Sequence, residues 1–117
     1  MTTQIHPKAA EAQARATEAR AKRADLKARV ALLRQRGIRF AHVGNITVAY
    51  RVDRRDIVHV ANAVCHANDK FDPLTGKALA GDRLSNGMYI TLRRPANNPY
   101  LRVKDMIYAT FYPTTTR

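Results

Sequence analysis

The sequence predicts an α+β chain: a long N-terminal basic α-helix, then a small domain with a three-stranded antiparallel meander, a helix, a fourth strand and a C-terminal helix. Three observations carry that expectation. Neither Gly nor an internal Pro interrupts the stretch from Pro7 to Arg36, apolar residues alternate after a Gly44-Asn45 turn signal, and cap-type residues replace the alternation after Asn68. The 117 residues suffice for one core but not for two, so the expected division is a helical arm over 1–36 and a domain over 37–117.

Alanine, arginine, lysine, glutamine, glutamate and leucine dominate the first stretch, all strong helix formers. Pro7 suits its first turn and Gly37 its stop. Such a rod is about 45 Å long against a domain about 30 Å across, so it must project or find a partner. Placing Ala9, Ala16, Arg23 and Val30 at heptad position a puts Ala12, Ala19, Leu26 and Leu33 at d. Position e then holds Gln13, Arg20, Lys27 and Arg34, and position g holds Arg15, Lys22, Arg29 and Arg36. Seven of these eight flanking residues are cationic, so parallel and antiparallel self-pairing both stack like charges. A homomeric coiled coil through residues 9–33 is disfavoured. Glu11, Glu18 and Asp25 each stand four residues before a base, and each pair supports the isolated helix by about 0.2–0.5 kcal/mol.

Ile38 to Val43 is a short mixed segment, the first strand of the meander. Ile46, Val48, Tyr50 and Val52 alternate with Thr47, Ala49 and Arg51, the period of a half-buried strand. Asp53 to Asp56 forms a polar loop, and Ile57 to Cys65 is apolar at nearly every position, as in a central strand covered on both faces. Asp69 or Asp72 then caps a helix with Pro73 in its first turn, running to about Asn86 with Gly87 as the stop. Met88, Ile90 and Leu92 mark the fourth strand. Asn98-Pro99 opens the last helix, with Tyr100, Val103, Ile107 and Phe111 at helical spacing and Pro113 ending it.

The balance of 21 Lys plus Arg against 9 Asp plus Glu gives a net charge of +12, which calls for something anionic: nucleic acid or an acidic protein. Residues 1–36 hold nine of those bases and three of those acids, so the helix is about twice as positive per residue as the rest. The alanine face of that helix lacks the Trp, Phe or Leu that enters lipid, and no apolar run reaches transmembrane length, so no membrane partner is expected. A lone cysteine, Cys65, and the absence of an apolar leader point to a reducing, cytoplasmic location.

Asp69-Lys70-Phe71, followed by Gly76-Lys77, Ala80 and Arg83-Leu84, resembles a D-x-F-x4-G-[RK]-x2-A-x2-R-L pattern of small, largely uncharacterised bacteriophage and prophage proteins, where it likewise follows a β-hairpin. The resemblance covers about residues 46–84. Asp72-Pro73 stands where that family carries a serine and a basic residue. The resemblance implies a phage origin, and hence the cytoplasm of a bacterial host, and transfers no reaction. The same residues also make an ordinary helix, with Phe71, Leu74, Ala78 and Leu84 as its core face and Arg83 as a surface or capping contact.

No catalytic constellation stands out. A phosphate-binding loop ending at Gly76-Lys77 would need glycine at Phe71 and Ser or Thr at Ala78. His42, His59, Cys65 and His66 match no zinc spacing, and Ser85, the only serine, lacks a G-x-S-x-G surround. The expectation is a non-enzymatic protein without cofactor or metal that binds nucleic acid, DNA or RNA, through a positive surface. Arg15, Arg20, Lys22, Lys27, Arg29, Arg34 and Arg36 on the helix carry it, with Arg54, Arg55, Arg93 and Arg94 as secondary contacts and Lys77 and Arg83 extending it on an exposed face. The alternative is an interaction or inhibitor protein that docks the same surface on an acidic host or phage complex, such as a defence or polymerase complex. A third is a structural part of a particle, with the helix as an assembly arm.

Overall fold

The computed structural model of the chain describes residues 7–65, 70 and 72–112. Helix α1 (Pro7–Gln35) stops because Gly37 adopts φ 87, a left-handed conformation that only glycine enters without strain. The Ile38 amide then donates to the Leu33 carbonyl and the Gly37 amide to that of Arg34. Ile38 and Leu33 meet in the same core cluster, the apolar contact that accompanies this kind of helix end. The chain reverses directly into strand β1 (Arg39–Val43), which pairs antiparallel with β2 (Ile46–Val52) across the Gly44-Asn45 turn.

Strand β3 (Val58–Val64) pairs with β2 from Ile46↔Val64 to Val52↔Val58, and β4 (Ile90–Leu92) adds to its far side. The sheet order is β1-β2-β3-β4, every neighbour antiparallel. Helix α2 (Pro73–Ser85) joins β3 to β4, and α3 (Val103–Phe111) follows. The architecture is therefore the α+β arrangement the sequence predicts. Val48, Tyr50, Val58 and Val60 form one core with Met106 and Ile107 of α3. On the opposite face Ala49, Ala61 and Ala63 lie with Ala80 and Leu84 of α2 and Leu33 of α1.

Three elements differ from expectation. Strand β2 is covered on both faces instead of one: Thr47 is 1% and Ala49 0% exposed. The second face is built from small residues that let α2 approach closely, and it does not read as a core face in sequence. Gly76 and Gly81 belong to the same packing, since a Cβ at Gly76 would strike the Thr47 side chain and one at Gly81 that of Leu33. The fourth strand is only three residues long, leaving Met88 and Tyr89 outside it. The last helix begins at Val103, because Asn98-Pro99 instead opens a turn closed by the Leu101 amide donating to the Asn98 carbonyl. Pro is as well suited to the second position of such a turn as to a first helical turn. Tyr100, placed on that turn, is 91% exposed.

Asp72 caps α2, accepting from the Leu74 amide at 3.1 Å and the Thr75 hydroxyl at 2.8 Å. Asp69, Phe71, His66 and the Pro113 stop lie outside the described residues. Among the described residues, no helix is long and apolar enough to cross a membrane.

Candidate nucleic-acid interface

Helix α1 is two things along one axis. Its last turns are core: Val30 and Leu33 are buried and Leu26 is half-buried. Arg23 faces Asp72 at the α2 cap at 3.6 Å, Arg29 pairs with Asp82, and Leu33 lies against Gly81, so the two helices run side by side in the same direction. Residues 8–25 are all exposed, so the physical boundary between arm and domain falls near Arg23, inside the helix. The radius of gyration, 19.4 Å, exceeds the roughly 13 Å of a compact chain of this length, as a projecting rod requires.

Arg23 is the residue that breaks the heptad seam, and its ion pair with Asp72 explains the break. The seam that resembles a coiled coil is a continuation of the stripe that packs on α2. The seven flanking cations, Arg15, Lys22, Arg29 and Arg36 on one side and Arg20, Lys27 and Arg34 on the other, are all exposed. Arg15 lies 3.6 Å from Glu11, but both side chains are mostly in solvent, where such a pair is worth little and leaves the guanidinium accessible. Arg34 rests over the Phe40 ring at 5.8 Å, a cation–π distance that holds the side chain against β1.

At the root of the helix Arg34 is joined by two cations that the sequence does not single out, Arg39 and Lys104. Arg34, Arg39 and Lys104 line a shallow cleft of about 440 Å³ with Phe40 and Tyr50. The helix stop at Gly37 turns Arg39 back beside Arg34, and that much is legible from the Gly37-Ile38-Arg39 spacing; Lys104 arrives only through the packing of α3. At the other end, Arg23 and Lys70 line a hollow of about 500 Å³ with Asp72 and Pro73.

The secondary contacts fare unequally. Arg55, Arg93 and Arg94 do converge, on a cleft of about 440 Å³. Arg94 is only 20% exposed there, pairing with Asp56 and donating from Nε to the Leu101 carbonyl at 2.8 Å, so it pins the loop before α3. Arg54 is exposed beside them. The expectation that Lys77 and Arg83 share an exposed face is corrected. Arg83 is half-buried, its Nη1 donating to the Asn62 carbonyl at 2.7 Å, because its place on α2 tilts it over β3. Lys77 is half-buried on α2, where its charge acts on His42 of β1. Burial first, and then that Lys77 charge, hold His42 below its ordinary pKa, so it is neutral at pH 7 and adds no positive charge.

One Asp–His pair stands apart. Asp53 accepts from the Arg55 and Ile57 amides and sits 2.9 Å from His59 Nε2, while the His59 ring lies 4.7 Å from that of Tyr89. These bonds close the β2–β3 loop. The contact with His59 first, then the Ile57 amide, lowers the Asp53 pKa, and the Thr75 hydroxyl is the main cause of a lowered Asp72. Depressed folded values give stability that is complete above the unfolded carboxylate pKa of about 4 and is lost as the pH falls through the folded ones. Urea unfolding followed by circular dichroism across pH should therefore show stability declining below about pH 4, with Asp72→Asn flattening that dependence.

Among the described residues, no three His, Cys, Asp or Glu side chains gather where they would hold a metal. No family model, curated protein or solved structure matches the chain.

Proposed function

We propose that this chain is a non-enzymatic, phage-type protein that binds nucleic acid through the cationic flanks of α1 and the basic clefts at its root. The single observation that carries the reading is the exposure of all seven flanking cations on a helix whose acids are few and whose outer half leaves the domain. Ion pairs with phosphate release condensed counterions, so the free energy is electrostatic and carries little base preference. The motif resemblance over residues 46–84 supports the phage character.

Binding to random duplex DNA, measured across salt concentrations, tests it. Each phosphate neutralised contributes about 0.9 to the log–log slope, so changing Arg20, Lys27 and Arg34 to Gln should make the slope shallower by about 2–3. Negligible binding at about 50 mM salt would overturn the reading. It would leave the second one, docking of the same surface on an acidic host or phage protein, which is favoured by the alanine stripe between two cationic flanks: an acidic helix would complement it.

A further inference from the structure

The outer part of α1 carries cations on two flanks, Arg15 and Lys22 on one and Arg20 on the other. A helix tracking one phosphate backbone needs only one such rail. With side chains, the rod is about 10–12 Å across, close to the roughly 12 Å between the phosphate walls of the B-form major groove. From residue 8 to residue 22, where the rod is clear of α2, it extends about 22 Å. Single strands offer one backbone and are held by stacked aromatics, of which the segment Pro7–Gln35 has none. The A-form major groove of duplex RNA is too deep and narrow for side chains to read.

Between the rails the side chains are Ala9, Ala12, Ala16 and Ala19, which add almost no depth to the rod. The direction they face is set by the domain: they continue the line of Leu26, Val30 and Leu33 that packs against α2. They therefore look over the α2 N-terminus, where Arg23 and Lys70, with the Asp72 carboxylate that faces Arg23 at 3.6 Å, line the hollow at the base of the arm. Arm and hollow together make a concave, cationic seat instead of a lone spike.

Resting on the nucleic-acid reading above, we infer that residues 8–22 lie lengthwise in the major groove of B-form DNA. Arg15 and Lys22 meet one phosphate wall and Arg20 the other. The alanines face the groove floor, where methyl groups touch thymine methyls without reading a sequence. Arg23 and Lys70 hold the backbone where it leaves the groove.

Fluorescence anisotropy with the full chain tests this on a duplex DNA, the duplex RNA of the same sequence and a single strand, all at one salt concentration. The DNA duplex should bind at least about tenfold more tightly than either of the others. Ala12→Leu with Ala16→Leu puts bulk on the floor side and should weaken DNA binding about tenfold, while Ala14→Leu with Ala21→Leu, on the outer side, should leave it unchanged. Leucine is nearly as good a helix former as alanine, and helicity by circular dichroism confirms the arm in both variants. Equal affinity for the two duplexes, or a floor-side pair that binds like the parent, overturns groove docking while the cationic-surface reading stands. Absence of binding to every nucleic acid at about 50 mM salt overturns both.

Discussion

Leu84→Ala is expected to lower the unfolding free energy by about 2–5 kcal/mol, toward the upper part of that range. Leu84 is 1% exposed at the junction of α1, α2 and the sheet. Its neighbours include Ala49, Ala61, Ala63 and Ala80, side chains too short to lean into the vacated space. Relaxation is what lowers the cost of a cavity, and here little is available. Leu32→Ala is the matched control: Leu32 is 48% exposed, and its loss should cost at most about 0.5 kcal/mol. Urea unfolding of both variants is the measurement, and a Leu84→Ala loss below about 1 kcal/mol would contradict the packing of this face.

Gly76→Ala is the second large effect. Alanine is the better helix former by about 1 kcal/mol, so an open site would gain stability. At Gly76 the new methyl meets the Oγ1 and Cβ of Thr47, a β-branched residue locked in a central strand with its hydroxyl 3.2 Å from His42 Nδ1. Overpacking of that kind costs about 1–3 kcal/mol, and net destabilisation follows. Thr47→Ala in the same chain removes the obstacle, so the double variant should recover most of the loss, a coupling that a double-mutant cycle in denaturant reads directly. Gly81→Ala should be milder, since the group it meets is the far end of the Leu33 side chain, which has rotamers to use.

Local signals carried much of the fold. The Gly37 stop, the Gly44-Asn45 turn, the alternation through β2 and the Asp72-Pro73 start each depend on a few adjacent residues, and all lie where the sequence places them. The second face of β2 was illegible because Thr47 and Ala49 are neither polar enough to mark solvent nor large enough to mark a core. Asn98-Pro99 misled because proline opens a turn and a helix with the same φ. The candidate surface divides in the same way. Periodicity put seven cations on two flanks of α1, but it could not tell that Arg83 turns toward Asn62, nor that Lys104 joins Arg34 and Arg39, since those contacts cross elements far apart in the chain. The heptad seam was ambiguous for a related cause. Its outer alanines and its inner Val30 and Leu33 share one stripe, and only the second group meets α2.

That change of role along one unbroken helix bears on how such a chain diversifies. The residues beyond Arg23 are exposed on every side, so substitutions there answer to helix propensity and to whatever the arm touches, while the folding of the domain is indifferent to them. Selection for a new partner can rewrite the arm's charges without passing through unstable intermediates. The inner turns have no such latitude: between Leu26 and Leu33 each seam change is felt at once by α2 and the sheet. A lineage of such proteins should therefore vary fastest at its tip and slowest at the buried seam residues Val30 and Leu33, seven and four residues before its first glycine.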